Sequence, residues 1–330
     1  MGEGEIRVSE QRRVLVCGEA LVDLLPEGSD ERQRFRPVLG GSPFNVAIGV
    51  ARLEVETGYL GRLSSDRFGQ QQRRRLAEAG VVPHWLQQGP EPTALAMVTL
   101  GGRDGREADY RFYLEGTAER SLDATAIPPH GADRVGLLHF GSFSLVLRPT
   151  AELFADMIRA RDAEQLVSLD VNVRPAITPD LTDVRDRIDA LRSGVDIIKA
   201  SDEDLAHLFP DEDPLEVCRH WAAEGTALIA LTRGGDGATL LCGEEEISAP
   251  APAVAVVDTV GAGDSFMAAL IAAVMAQPPQ GAGALSRQSA EALRGLLQRA
   301  MTAAAITCTR AGAQPPDRAE LEAALTAMPG

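Results

Sequence analysis

Lysine is almost missing from this chain: Lys199 is the single one among 330 residues, and every other basic side chain is arginine. That bias belongs to composition rather than to chemistry, but it makes one ammonium group worth following. Aromatic residues are scarce, 4% against 45% hydrophobic, so the core has to be aliphatic and alanine-rich. The four cysteines, Cys17, Cys218, Cys242 and Cys308, lie far apart, with no C-x-x-C pair and no histidine at metal-ligand spacing. This argues against a disulfide framework or a zinc site and for free thiols in a reducing compartment. No apolar run reaches the roughly 18 residues that cross a bilayer. The start Met1-Gly2-Glu3-Gly4-Glu5 is acidic and lacks the apolar stretch of a signal peptide. A cytoplasmic protein is expected. Positive charge is also in short supply, 32 basic against 48 acidic residues for a net -16. A nucleic-acid groove or an anionic membrane surface is therefore disfavoured as the main partner. Any phosphate site has to be built locally, from backbone amides, a few arginines and a metal ion. Neither G-x-x-x-x-G-K-[ST] nor G-x-G-x-x-G after the first strand occurs, which disfavours P-loop and dinucleotide-binding folds.

What is present is an α/β rhythm. Val14–Gly18 reads as a first buried strand ending in a glycine turn. From Val135 the alternation is regular: strands at Val135–Phe140, Leu166–Asp170, Val195–Lys199 and Ala227–Leu231, with helices at Thr150–Arg161, Asp180–Arg192, Ser201–Phe209 and Pro214–Ala223 between them. Such alternation predicts a parallel sheet covered on both faces, a three-layer α/β/α core with a mostly parallel doubly wound sheet, whose ligands gather at the carboxyl ends of the strands. The polar clusters Asp170–Pro175, Lys199–Asp204 and Thr232–Gly237 fall at those ends. Phe35–Leu39, Ala94–Leu100 and Tyr110–Leu114 read instead as short strands without intervening helices. They predict a small separate sheet, a natural lid over an α/β core.

The chain is organised around Asp258-Thr259-Val260-Gly261-Ala262-Gly263-Asp264. The β-branched run Val254–Val257 before it reads as a buried strand, and Ser265–Ala276 after it as a buried helix. A strand, a glycine turn and a helix entrance point free amides and the positive end of a helix dipole at one spot, which suits a phosphate. Asp264 beside an anion cradle makes sense if it takes a proton from a hydroxyl while the amides of Gly261, Ala262 and Gly263 stabilise a phosphoryl group. It makes equal sense as a helix cap beside a tight turn. Asp23 sits in the apolar run Ala20–Leu25 and reads either as a ligand-binding carboxylate at the end of a parallel strand or as a turn residue. Gly40-Gly41-Ser42-Pro43-Phe44-Asn45 opens a helix with Ser42 and Pro43 in the usual capping arrangement. Such a cap requires neither the two glycines nor Asn45.

Gly40-Gly41 with Asn45 and Ala47, followed by Asp258–Asp264, resembles the two motifs of the ribokinase-like (PfkB) carbohydrate kinases, in the right order and at the right separation. The resemblance runs from Val14 to about Ala313. It implies one kinase domain over 12–330, with lid strands inserted from about 21–40 and 93–116, preceded by a flexible arm at 1–11. It also implies that Asp264 is the general base and that the Gly261, Ala262 and Gly263 amides form its anion hole. Asp23, Gly40, Gly41 and Asn45 match sugar-holding positions, with Asn172 and Arg174 near the acceptor and phosphates. Thr232, Gly234 and Gly237 match the nucleotide loop, with Lys199 and Ser201 on the nucleotide side. Ser201 and Asp204 stand where the family usually has Asn-x-x-Glu, which helps organise Mg²⁺, so Asp204 is expected to act on the metal indirectly. Asp258, Val260 and Gly312 match a loop for a monovalent cation such as K⁺.

The implied cofactors are ATP and Mg²⁺. The lid often mediates dimerisation in relatives, which gives a homodimer as the expected assembly. Gly41–Ala47 and Arg111–Ala118 look most like fructokinase-type members, giving D-fructose phosphorylated at its 6-hydroxyl as the expected reaction. The rivals are 2-keto-3-deoxygluconate, whose carboxylate Arg174 would pair, and ribose. The Ser201 and Asp204 departures also keep open a catalytically silent sugar-binding protein on the same fold.

Overall fold

The computed structural model describes residues 13–27, 34–101, 107–127, 135–277 and 281–327. The arm expected at 1–11 and the joint at 102–106 lie outside the described residues. The strands are β1 (Arg13–Cys17), β2 (Leu21–Glu27), β3 (Arg34–Gly40), β4 (Thr57–Leu60), β5 (Arg62–Ser64), β6 (Gln87–Gly89), β7 (Ala94–Gly101) and β8 (Glu107–Tyr113). They continue as β9 (Val135–Gly141), β10 (Leu166–Asp170), β11 (Ile197–Ser201), β12 (Leu228–Thr232), β13 (Ala238–Cys242) and β14 (Glu245–Ala249). The helices are α1 (Ser42–Arg52), α2 (Arg67–Glu78), α3 (Thr150–Arg159), α4 (Leu181–Arg192), α5 (Asp202–Leu208), α6 (Pro214–Ala223), α7 (Ala262–Met275), α8 (Ala282–Leu285), α9 (Ala290–Cys308) and α10 (Arg318–Ala327).

Eight strands form the core sheet in the order β14-β13-β12-β11-β10-β9-β1-β4. The pairs from β4 to β12 are parallel, and β13 and β14 run antiparallel at one edge. Period-two alternation splits the sheet residues between two cores. Val14, Val16, Leu137, Leu166, Ile197 and Leu228 pack with the residues of α1, α7 and α9. Leu15, Cys17, Leu138, Val167, Ile198 and Ile229 pack with those of α3, α4 and α6 on the other face. The order of strands reverses at β1, which has β4 on one side and β9 on the other. In an open α/β sheet the crevice for ligands lies at such a reversal, outside the carboxyl ends of the strands. The expected second sheet is present in the order β3-β2-β7-β8. Its Leu21, Ala94 and Ala96 pack on Phe143, Leu147 and Ile177, which stand in the loops after β9 and β10.

Three sequence expectations fail. Val254–Val257 is not a buried strand: it pairs with no strand among the described residues, and Val256 and Val257 are 63% and 65% exposed. The segment runs to the end of α9 instead, where the Cys308 carbonyl accepts from the amides of Val257 and Asp258. A β-branched run needs a free ladder to become a strand, and β14 already forms that edge. The β13–β14 hairpin was not anticipated in the sequence. A two-residue connection with Gly243 at φ 58 closes it. Asp23 does not end a core parallel strand either. The chain leaves the core sheet at Gly18, and Asp23 lies on β2 of the small sheet, opposite Val38 and Ala96. In addition, Ala282–Leu285 carries the short helix α8.

Two features generate measurable consequences. A Cβ added at Gly49 of α1 would stand 2.6 Å from the Ala268 Cβ of α7, so these helices touch backbone to backbone. Gly49→Val should lower stability by about 1–3 kcal/mol through overpacking, read as a drop in urea midpoint at unchanged m-value. The second feature is Glu19, only 1% exposed just past β1. One of its oxygens accepts from the Ser144 hydroxyl, and the other has no protein partner. Burial pushes its carboxyl from 4.5 up to about 7, against the hydrogen bonds of Ser144, its own backbone and Ser142 and the charge of Arg174. A carboxyl raised by folding binds its proton more tightly in the native state, so its ionisation opposes folding above the native value. Glu19→Gln should therefore be more stable than the parent at pH 8 by an extra amount of roughly 3 kcal/mol. That extra advantage should shrink as pH falls through 7 and be gone below about 4.5, a trend that denaturant titrations at several pH values check.

Candidate active site

Two helix entrances meet at the reversal point of the sheet. Alanine, leucine and methionine make α7 a strong helix former, and its buried face fixes it under α1 and α9. Gly261 caps it in the left-handed conformation at φ 77. A side chain there would meet Ala313, whose Cβ lies 2.5 Å from the position of an added Cβ. Only glycine fits that turn. Asp264 lies in the first turn of α7, and both its oxygens are held from α1. Its Oδ1 accepts from Ser42 Oγ at 2.6 Å and its Oδ2 from Asn45 Nδ2 at 2.8 Å. Ser42 is thus not the cap of α1. Gly41 takes that position at φ 110, packed against the Glu19 carbonyl, and no side chain caps the helix. The serine-proline pattern was read correctly as a helix start, but the hydroxyl serves a residue 222 positions away. A carboxylate has about four acceptor sites, so Asp264 retains capacity for a further hydroxyl donor.

The helix entrance supplies amides. The Ala262 amide turns back to the Thr259 carbonyl at 3.2 Å, which commits it to the turn. Among the described residues no backbone acceptor takes the amides of Gly263 and Asp264. First-turn amides of this kind, with the helix dipole behind them, form an anion cradle. Lys199 lies directly beneath it: a Cβ at Gly263 would stand 3.2 Å from the lysine Nζ. The ammonium is buried and bonded to both oxygens of Asp170 at 2.9 Å. Burial works against its charge, but Asp170, Asp204 and Asp264 outweigh it and hold the ammonium above the ordinary lysine value. Burial raises Asp170 to about 6, against the opposing Lys199. The pair is therefore ionised at neutral pH.

The small sheet contributes Asp23, packed so closely on Gly40 that an added Cβ would come within 2.4 Å of its Oδ2. Burial raises Asp23 to about 6, with Arg174 opposing and the negative charge of Asp264 adding. The charges of Asp23, Arg174 and Asp264 thus act on one another across the space between the small sheet and the core. Arg174 is exposed, and Asn172 two residues earlier is held at φ 37. Ser142, at the end of β9, is likewise held at φ 59. Non-glycine residues in this region are costly and concentrate at functional loops.

Other expected residues find structural duties. Ser201 and Asp204 form a capping box on α5, each side chain accepting from the other's amide at 3.0 and 2.8 Å. Asp204 Oδ1 also accepts from the Val173 amide at 2.7 Å. With both oxygens taken by amides, Asp204 acts on the Asn172–Arg174 loop rather than as an open ligand. The S-x-x-D spacing is the signal that reveals such a box. Gly237, at φ 100, is forced by the Ala249 carbonyl, 2.1 Å from where a Cβ would stand, whereas Gly234 faces open space after Thr232. Asp258 accepts from the amides of Val260 at 3.0 Å and Gly312 at 2.7 Å, so the three residues expected at a cation loop are tied together. Sequence reasoning gave no role to Glu19, gave Ser42 that of a cap, and missed that Asp170 holds Lys199.

Among the described residues no cluster of three His, Cys, Asp or Glu side chains is placed to hold a metal ion. Residues 11–320 match the pfkB family carbohydrate kinase. The chain is 34% identical over 262 residues to a fructokinase of Rhizobium leguminosarum bv. trifolii, covering 79% of each. In structure it is similar to the fructokinase with bound ATP from Xylella fastidiosa, with TM-score 0.86, 28% identity and 96% and 98% of the two chains covered. It is also similar to the fructokinase from Vibrio cholerae O395 in its fructose-, ADP- and calcium-bound form, with TM-score 0.79, 25% identity and 96% and 99% covered. With the two glycine motifs joined through Asp264 and the match spanning nearly the whole chain, this protein belongs to the pfkB family of carbohydrate kinases.

Proposed function

We propose that the chain transfers the γ-phosphoryl group of ATP to D-fructose, giving fructose 6-phosphate. The observation that carries this reading is the bridge of Ser42 and Asn45 to Asp264 at the α7 entrance. The bridge fixes a carboxylate beside unpaired amides, where an alcohol and a phosphate can be brought together. The fructose-, ADP- and calcium-bound form of the Vibrio neighbour supports both the acceptor and the nucleotide.

The sugar lies between the small sheet and the core. Asp23 accepts hydrogen bonds from its hydroxyls, Gly40 and Gly41 allow close approach, and Asn45, Asn172 and Arg174 complete its surroundings. Asp264 accepts the proton of the attacking hydroxyl. The Gly261 and Gly263 amides stabilise the transferring group, with the Ala262 amide contributing once it leaves Thr259. Thr232 and Gly234 flank the nucleotide, and Gly237 shapes that turn. Ser201 and Asp204 fix the loop that carries Asn172. Mg²⁺ arriving with ATP supplies neutralisation of phosphate charge. The Asp258, Val260 and Gly312 segment suits a monovalent ion such as K⁺, which would steady the α7 entrance.

Release of ADP with a panel of sugars tests the reading. Fructose should outpace ribose and 2-keto-3-deoxygluconate, and phosphorus NMR should place the product phosphate on carbon 6. A preference for the keto acid would redirect the assignment to Arg174, and binding of fructose without ADP release would mark a silent binder. Asp264→Asn should lower turnover by about 10² or more while ATP affinity, measured by calorimetry, stays within a few-fold. Near-normal turnover would contradict the role. Asp23→Ala should raise the KM for fructose roughly tenfold, the scale of a lost charge-assisted hydrogen bond, and leave the KM for ATP unchanged.

A further inference from the structure

The sole lysine of the chain is buried where no stability argument calls for it. Lys199 is 4% exposed and Asp170 is fully buried. Replacing a buried ion pair by apolar side chains is often neutral or stabilising, so packing alone does not explain this one. The sheet explains its position. Along the face under α7, apolar residues give way to polar ones toward the carboxyl ends of the strands: Leu137 then His139, Leu166 then Ser168 and Asp170, Ile197 then Lys199. Asp170 and Lys199 are cross-strand partners in register. The ammonium is the part of the pair nearer the helix entrance. It is 3.2 Å from the position a Cβ would take on Gly263, while no atom of Asp170 comes within 4 Å of that position. Two of its protons go to Asp170, and the third finds no acceptor among the described residues.

We propose that the Lys199–Asp170 pair is an electrostatic positioning element that sets the potential at the α7 entrance, aiding phosphoryl transfer from behind the anion cradle. This rests on the kinase reading given above. Asp170 holds the ammonium fixed and prevents it from collapsing onto Asp264, while the missing side chain at Gly263 lets its field reach the pocket. The other groups around it are accounted for. His139 on β9 bonds Ser168 through Nδ1, and burial, with Lys199 adding, pushes it down to about 3, so it carries no charge at neutral pH. Asp204 on α5 acts on both members of the pair but is spent on amides. Asp264 acts on both from α7, Asp23 faces Asp264 from the small sheet, and Arg174 faces Asp23 from the loop after β10. From α1 only the neutral Ser42 and Asn45 reach Asp264. A buried ammonium thus stands behind the cradle in a strongly acidic protein.

The test is the pH dependence of kcat with ATP, Mg²⁺ and fructose for the parent and three variants. Lys199→Met removes the positive charge. It should lower kcat about tenfold, as expected of a nearby charge in a partly screened site, and move the acid limb up by about one pH unit. Asp170→Asn leaves the ammonium uncompensated and should move that limb down. The doubly neutral variant Lys199→Gln with Asp170→Asn carries no lone buried charge and is the one designed to fold. Its limb should lie between those of Lys199→Met and the parent, because the ammonium is the nearer member. The KM for fructose should stay within a few-fold in all three, and thermal midpoints report folding independently. Limbs that move in one direction in both single variants, or an unchanged limb in the double variant, would overturn the proposal while parent turnover leaves the kinase reading standing. A parent without turnover on any sugar would remove the kinase reading itself.

Discussion

Everything in the pocket depends on one carboxylate being gripped from a different helix. Asp264 belongs to α7, but Ser42 and Asn45 of α1 take both its oxygens. The grip works only because the two helices come within touching distance, at Gly49 and Ala268, and because each enters at the same end of the sheet. A side-chain carboxylate ordinarily samples several rotamers. Two charge-assisted bonds of ordinary length remove that freedom and leave the remaining acceptor capacity aimed at the space beneath the small sheet. Preorganisation of this kind costs nothing at the moment of reaction.

Charge is the second constraint. A chain with net -16 has to attract a polyanionic nucleotide. In the proposed reading it would do so through amides at a helix entrance, the exposed Arg174 and the buried ammonium of Lys199. Carboxylates crowd the same space. Burial raises Asp23 and Asp170 to about 6 and Glu19 to about 7, so several acids sit closer to neutrality than usual. The arrangement lowers local repulsion without adding surface lysines. It also makes the site more dependent on pH than the surface, where ion pairs such as Arg310 with Glu320 are hydrogen-bonded and pull the carboxylate the other way.

The strands β1 and β9 to β12 and the helices α3 to α7 were legible because each is written locally: apolar runs of strand length, periodic helical stretches and glycines at fixed joints. The exposed valines at 254–257 were misread for the same reason, since their local chemistry is that of a strand and only the absence of a free ladder decides otherwise. Ser42 was misread because a serine before a proline has an obvious local duty, and its actual partner is distant in sequence. Ser201 and Asp204 were read as an altered metal motif, although their spacing also spells the capping box that they form.

By itself the sequence determined the layer architecture, the small second sheet and the two glycine turns, because these follow from residue type, period and spacing, whereas the part given to Asp264 came from the resemblance to the kinase motifs. The tertiary structure alone decided that Ser42 serves Asp264 and that Lys199 faces the cradle from inside the core. Those are relations between residues far apart in the chain. They exist only once the strand order has reversed at β1 and brought two helix entrances together.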